Sequence, residues 1–141
     1  MLNRVTCAVS FCLAIIPGLA MAAENGVERG KQEYMIACAG CHGESAKGTG
    51  PIAGILSIET PDLTTITERT GGGEFPYRNT TLVIDGRDAI RAHGGDMPIW
   101  GDRFVSAVRR DDPPWATPEA AELVAMGRIL ALVRYLESVQ E

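Results

Sequence analysis

The sequence has few aromatic residues, few cysteines and little positive charge. Aromatic side chains make up only 6% of its 141 residues, so the core must fill its volume in some other way. Of the four cysteines, Cys7 and Cys12 lie near the start, which leaves Cys38 and Cys41 in the rest of the chain, where an oxidising compartment would allow a disulfide between them. The net charge of −5 disfavours binding to nucleic acid or to anionic membranes. With 45% hydrophobic and 22% charged residues, the composition is nevertheless that of a globular domain, which excludes disorder as the default.

The first residues are typical of a secretory signal peptide. Arg4 precedes an apolar run over residues 5–16, helix breakers follow, and an A-x-A pattern ends at Ala22. We predict a signal peptide over residues 1–22, cleaved after Ala22, and a single domain over residues 23–141. The alternative is an anchor that stays in the membrane, but the apolar run is shorter than the stretch of about 20 residues that a spanning helix needs. We therefore expect a soluble protein that is exported to the periplasm.

Hydrophobic periodicity and capping signals predict an all-α protein, because no segment alternates convincingly as a strand does. Thr60 and Thr117 are each followed by proline, the order of an N-cap and a first helical position. Residues 101–116 are polar, contain two adjacent prolines and are expected to be irregular. The predicted helices span residues 25–41 (capped by Asn25), 60–69, 76–85 (ended by Gly86) and 117–139. The last of these carries a broad apolar stripe, expected to face the core, that consists of Leu123, Met126, Ile129, Leu130, Leu132, Val133 and Leu136.

The most informative motif is Cys38-Ala39-Gly40-Cys41-His42. Positions three and four apart on a helical turn share a face, so the two thiols and the imidazole point the same way. The C-x-x-C-H spacing is the signature of covalent haem attachment, in which Cys38 and Cys41 form thioethers and His42 binds the iron. Three other interpretations are weaker. A thioredoxin-like redox disulfide needs flanking strands, a zinc site needs a second pair of ligands, and a structural disulfide leaves His42 without a role.

We expect the second axial iron ligand to be Met97. A thioether favours ferrous over ferric iron and raises the potential, and Pro98 stiffens the loop that carries Met97. Met35 lies within one helical turn of the attachment motif, on the side of the proximal histidine, and Met126 belongs to the apolar stripe of the last helix. The rival ligand is His93, whose binding would lower the potential.

These features resemble a class I c-type cytochrome with one haem. Gly30 and Tyr34 lie eight and four residues before Cys38, as a glycine and an aromatic residue do in that family. The family's last helix has an L-x-x-Y-L-like element, which residues 132–136 match. Because those two helices cross closely in the family, the resemblance implies a contact between Gly30 and Tyr135. It also implies a small cytochrome c-like all-α fold, with four to five helices wrapped around one covalently bound haem c.

The resemblance assigns a further role to Gly50-Pro51. In the family, a proline carbonyl after the attachment motif accepts the N–H of the proximal histidine, which orients the ring and raises its basicity. Pro51 is therefore implied to contact His42. The stretch after Met97 is longer than in compact family members, and nothing assigns a role to residues 101–116. The family's lysine ring is absent, and a candidate substitute for docking is the set Arg87, Arg91, Arg103, Arg109 and Arg110.

The sequence thus predicts a periplasmic electron carrier and not an enzyme. Iron held by His42 and Met97 would exchange single electrons with redox partner proteins. We expect no nucleic acid, no small-molecule substrate and no membrane span after signal cleavage. The main alternative is a haem-bearing subunit of a larger periplasmic oxidoreductase. A gas-binding sensor or haem enzyme is less favoured, because it requires an open sixth position.

Overall fold

A computed structural model describes residues 17–87, 97–110 and 113–141, with side chains from Asn25 onwards. This part of the chain contains no strand, so the predicted all-α class is confirmed. None of its helices combines the length and the apolar character that a bilayer crossing requires. The α-helices are α1 (Pro17–Ala37), α2 (Ala39–His42), α3 (Ile66–Arg69), α4 (Tyr77–Asp85), α5 (Trp100–Arg110) and α6 (Pro118–Ser138), and a single 3-10 turn spans Ala53–Ile55.

The two long helices, α1 and α6, cross at Gly30. A Cβ atom built on Gly30 would overlap the backbone carbonyl of Ala131 and lie 2.8 Å from Tyr135 Cβ. The aromatic rings of Tyr34 and Tyr135 pack beside this crossing, with centroids 5.1 Å apart. The expected contact between Gly30 and Tyr135 is therefore present. Only a residue without a side chain allows the helices to approach this closely.

Helix α5 closes the core on the other side of α6. Phe104 is buried, and the guanidinium of Arg128 lies over its ring at 4.1 Å from the centroid. The same guanidinium makes two hydrogen bonds to Glu33 of α1, at 2.7 and 2.8 Å. Arg128 therefore links α1, α5 and α6 through one planar group, which suits arginine better than lysine.

Two of the predicted helix boundaries rest on local chemistry and agree with the structure. Gly86 follows α4 with φ 71°, a left-handed conformation that glycine adopts without strain. Thr117 caps α6, and its hydroxyl accepts a hydrogen bond from the backbone N–H of Ala120 at 3.2 Å. Pro118 takes the first helical position, where its missing N–H costs no hydrogen bond.

The Thr60-Pro61 helix start is wrong, because α3 begins only at Ile66. Asp62 Oδ1 instead accepts hydrogen bonds from the backbone N–H and the hydroxyl of Thr64, both at 2.7 Å. Such a side chain to backbone turn competes with helix formation. The first helix also begins earlier than expected, at Pro17 and not after Asn25.

Residues 101–116 are not irregular, since α5 occupies most of the segment. Its charged residues hide an apolar face at helical spacing, on which Phe104 is buried and Val105 and Val108 are partly buried. The adjacent prolines lie beyond the end of the helix. Composition was a misleading guide here, because only the spacing of the few apolar residues reports the helix.

The apolar stripe predicted for α6 is only partly buried. Ile129, Leu132, Val133 and Leu136 lie in the core, joined there by Ala121 and Ala125. Leu123, Met126 and Leu130 are exposed on the opposite side of the helix. Helix α6 is thus apolar on two faces, of which the described residues cover one.

Candidate haem site

The attachment motif forms a helical turn directly after α1. The backbone N–H of Cys38 donates to Tyr34 O at 2.8 Å, and the N–H groups of Cys41 and His42 both donate to Cys38 O, at 3.1 and 2.9 Å. Cys38, Cys41 and His42 all line the same cavity. The spacing argument for a shared face is therefore met by the folded chain.

A following loop fixes the carbonyl end of this turn. The N–H of Gly50 donates to Cys41 O at 3.0 Å, and the N–H of Ile52 donates to Gly40 O at 3.1 Å. A Cβ atom on Gly50 would overlap both of these carbonyls. The hydroxyl of Tyr34 donates to Gly43 O at 2.6 Å. These bonds satisfy carbonyls that the short helix leaves unpaired, and they hold the attachment turn rigid.

The carbonyl that faces His42 belongs to Pro61 and not to Pro51. His42 is 7% exposed, and its Nδ1 lies 3.2 Å from Pro61 O. Pro51 is exposed and does not line the cavity, so the role implied for it is corrected. Because a carbonyl only accepts, the contact is a hydrogen bond in the tautomer with the proton on Nδ1. That tautomer places the lone pair on Nε2, the form in which imidazole binds a metal.

The turn in which Asp62 accepts hydrogen bonds from Thr64 directly follows Pro61. It makes the stability of this part of the fold depend on pH. Hydrogen bonds from Thr64 lower the pKa of the Asp62 carboxyl below its ordinary 3.8. This stabilisation is present above pH 3.8 and is lost as the pH falls through the folded-state pKa. We expect Asp62→Ala to lower the urea midpoint at pH 7, and the gap to wild type to narrow at pH 3.

Asp62→Asn is the control for that comparison, because the amide keeps an acceptor oxygen but has no charge to titrate. If the charge matters, the difference in urea midpoint between Asp62→Asn and wild type should also be larger at pH 7 than at pH 3, as it is for Asp62→Ala. A difference in urea midpoint between Asp62→Ala and wild type that is equal at pH 7 and pH 3 contradicts the assigned role of the carboxylate.

The cavity that these residues line has a volume of about 750 Å³, within the usual range for cofactor sites. It lies between the attachment turn, α4, the start of α5 and the inner side of α6, and apolar residues from all four line it. One of its lining residues, Thr60, has a buried hydroxyl without a partner among the described residues. A buried polar atom of this kind calls for a partner from a bound group. The cavity therefore fits a large, mainly apolar cofactor that carries polar substituents.

Cys38 and Cys41 are free thiols in this arrangement. Burial raises the pKa of the Cys38 thiol to about 12, and the neighbouring Cys41 and Glu33 add to the shift. Reactive C-x-x-C redox pairs have lowered thiol pKa values, because the thiolate is the nucleophile. The described residues also contain no cluster of three His, Cys, Asp or Glu side chains that could hold a metal ion. The raised pKa of the Cys38 thiol thus gives no support to the redox-disulfide interpretation.

Met97 reaches the cavity, where it packs against the core. Of the three methionines whose side chains are described, it alone lines the cavity, since Met35 and Met126 are exposed on the surface. His93, the rival ligand, lies outside the described residues. The structure thus brings together four predicted residues (Cys38, Cys41, His42 and Met97) and replaces the fifth, Pro51, by Pro61.

Sequence reasoning missed several residues of the cavity wall. Arg69 and Arg103 both line it, and Arg69 is anchored by a hydrogen bond from its guanidinium to Thr65 Oγ1 at 2.6 Å. Arg103 lies over the ring of Trp100, 5.4 Å from its centroid. Two arginines beside an apolar cavity can pair with carboxylates of a bound cofactor. No short motif reports them, because they come from separate helices.

The arginines proposed for docking differ in their surroundings. Arg87 pairs with Asp85 and with Glu122, both at 2.8 Å, and Arg103 faces the cavity. Arg91 lies outside the described residues. Arg109 and Arg110 remain exposed at the end of α5.

The all-α fold and a cavity lined by two thiols, an imidazole and a thioether are what the haem site of a c-type cytochrome requires. A sequence model of the cytochrome c family, described as Cytochrome c, matches residues 27–99. This is more than half of the chain, and the protein belongs to the cytochrome c family. No curated protein and no solved structure matches the chain significantly. Membership of the family entails haem binding and haem-based electron transfer.

Proposed function

We propose that the protein is an exported one-electron carrier with a single haem c. The observation that carries this proposal is the cavity itself, which Met97 lines together with Cys38, Cys41 and His42 of the attachment motif, far from it in the sequence. In this proposal the two thiols would hold the haem covalently, and His42 and Met97 would bind its iron. When bound, the haem supplies an Fe(II)/Fe(III) couple, and the protein positions and tunes it. The signal-like N-terminal segment supports export to the periplasm.

His42 and Met97 have complementary tasks. The Pro61 carbonyl fixes the ring of His42 and increases its basicity by accepting the Nδ1 proton. Met97 offers a soft thioether, which favours the ferrous state and raises the potential. With both residues bound to the iron, the protein itself would occupy the positions that a substrate or a gas would need. This favours electron transfer over catalysis at the iron.

The cavity mouth suits brief contact with redox partners. Ile36, Ile52 and Ile58 are exposed and also line the cavity, so its opening is apolar. Complexes between electron-transfer proteins typically have small interfaces and short lifetimes. An apolar mouth allows a partner to approach the cofactor closely without the desolvation of many charges.

Visible spectra of wild type and Met97→Ala test this proposal. We expect a c-type reduced spectrum and, in the oxidised wild type, a charge-transfer band from methionine sulfur that Met97→Ala abolishes. The potential of the variant falls on the order of 100 mV, a part of the roughly 0.8 V that axial ligands span. The band should survive in Met35→Ala, the matched control, because Met35 is exposed and outside the cavity.

Persistence of the band in Met97→Ala would show that Met97 is not the ligand. Absence of the band from the wild type would point to His93 instead, and His93→Ala would then alter the spectrum. Carbon monoxide binding by the reduced wild type would contradict six-coordinate ligation and favour a sensor or an enzyme.

A further inference from the structure

Helix α6 has an outer face that nothing in the described chain covers. Leu123 is 75% exposed and Leu130 48% exposed, on the side opposite the core residues. Large exposed apolar side chains in a row mark an interaction surface. Because these positions repeat at helical spacing, the two leucines lie in one row on α6 with a charged residue at each end of the row. We call this set the outer stripe, and it consists of Glu119, Leu123, Met126, Gly127, Leu130 and Arg134.

The outer stripe is symmetric about its midpoint, which lies between Met126 and Gly127. Leu123 and Leu130 are equally far from this midpoint, and so are the two charged residues at the ends. If a second α6 lies antiparallel across the outer stripe, each residue meets the residue of the other copy that lies equally far beyond the midpoint. Leucine then faces leucine, Met126 faces Gly127, and carboxylate faces guanidinium. A two-fold symmetric interface requires this self-complementarity of one surface.

The centre of the stripe has the shapes that close helix packing needs. A Cβ atom on Gly127 would meet nothing within 4 Å, so this position is an open recess on the surface. Met126 beside it is exposed, and its unbranched thioether side chain adapts to irregular recesses. A methionine from one copy can therefore enter the recess at Gly127 of the other.

The charges select the antiparallel orientation. A parallel pair would place Glu119 against Glu119 and Arg134 against Arg134, whereas an antiparallel pair joins opposite charges twice. One terminal nitrogen of Arg134 donates a hydrogen bond to Tyr77 Oη at 3.1 Å and lies 3.6 Å from Glu137 Oε2, which leaves the N–H groups of the other guanidinium nitrogens for a partner. Exposed ion pairs contribute little affinity, so these charges set orientation more than strength.

We propose that a second copy of this chain docks antiparallel on the outer stripe and forms a two-fold symmetric dimer. No residue of the stripe lines the cavity, so both cavity mouths remain accessible to redox partners in the dimer. The proposal goes beyond electron transfer and does not depend on the identity of the axial ligands.

Sedimentation of the haem-loaded protein over a range of concentrations is the first test. We expect a reversible monomer–dimer equilibrium in wild type and at least about tenfold weaker association in Leu130→Asp, with unchanged visible spectra. Ile55→Asp is the matched control, because Ile55 is 84% exposed and lies outside the stripe and the cavity lining. It should associate like wild type. A protein that stays monomeric, or one that dimerises equally well as Leu130→Asp, overturns the proposal.

A charge exchange tests the orientation. At low salt, Glu119→Arg should weaken association about threefold to tenfold, because it places two arginines together at each end. Glu119→Arg combined with Arg134→Glu restores opposite charges and should recover wild-type association. A double variant no better than the single one overturns the antiparallel register. A wild type that is monomeric alone but co-sediments with a different protein in native extract overturns the dimer and favours a subunit role.

Discussion

We expect the double variant Cys38→Ser/Cys41→Ser to contain no covalently bound haem. The thiols line the same cavity as His42, and serine hydroxyls do not form the thioether links. The measurement is the haem-dependent peroxidase stain on a denaturing gel, which detects only haem that survives unfolding. The stain should disappear entirely in the double variant. It should persist, at reduced intensity, in each single variant, which retains one thioether.

Gly40→Ala is the matched control for this experiment, since it changes the motif without removing a thiol. A Cβ atom at Gly40 would lie 3.7 Å from Ile52 Cδ1, an ordinary contact, so haem attachment should be normal. Two results would contradict the assignment. One is full staining of the double variant, and the other is a wild type whose two cysteines form a disulfide and carry no haem.

Loss of the haem should also weaken the fold, because the cavity is part of the core. Leu132 and Leu136 of α6 line it while they pack against the core. Protein interiors contain few voids of such size, and an empty apolar cavity forfeits contacts along its whole wall. The scarcity of aromatic residues has the same explanation. The bound macrocycle supplies ring surface that this sequence does not provide.

The parts of the structure that sequence reasoning predicted depend on short-range chemistry. Gly86 and Thr117 mark helix ends because the terminal backbone groups are satisfied within a few residues. The attachment turn is similarly local. Cys38 and His42 are one helical turn apart, and their geometry follows from that spacing alone.

One error concerns long-range packing, and another concerns competition between two local signals. Two prolines follow the attachment motif, and the choice between them depends on the path of a loop that returns Pro61 to His42. Thr60 carries a valid capping signal, but the side chain of Asp62 forms a competing turn. A sequence pattern cannot rank the two prolines, because Pro61 and His42 are far apart in the chain. It also cannot rank two local signals, a cap and a turn, that overlap in the same few residues.

Helix α6 shows a second limit of sequence patterns. Its apolar residues occupy two faces, and periodicity does not tell which face the rest of the chain covers. Burial of Ile129 and exposure of Leu130 depend on where α1 and α5 dock. The close approach of Gly30 to the backbone of Ala131 is one point of that docking, and it involves no large apolar side chain.

The crossing at Gly30 should be the most sensitive point of the fold, and a pair of substitutions on α1 isolates it. Alanine is intrinsically the better helix former, and nothing lies within 4 Å of a Cβ at Gly26. Gly26→Ala should therefore stabilise the protein, by less than about 1 kcal/mol because the position is close to the start of the predicted mature chain. Gly30→Ala should instead destabilise it by about 2–3 kcal/mol, because the new Cβ overlaps the Ala131 carbonyl, a backbone group that cannot rotate away. Urea unfolding of the haem-loaded proteins, followed by circular dichroism, measures both changes. Changes of opposite sign in the free energy of unfolding identify a steric limit at the crossing, whereas equal stabilisation by both substitutions would mean that α1 and α6 do not meet at Gly30.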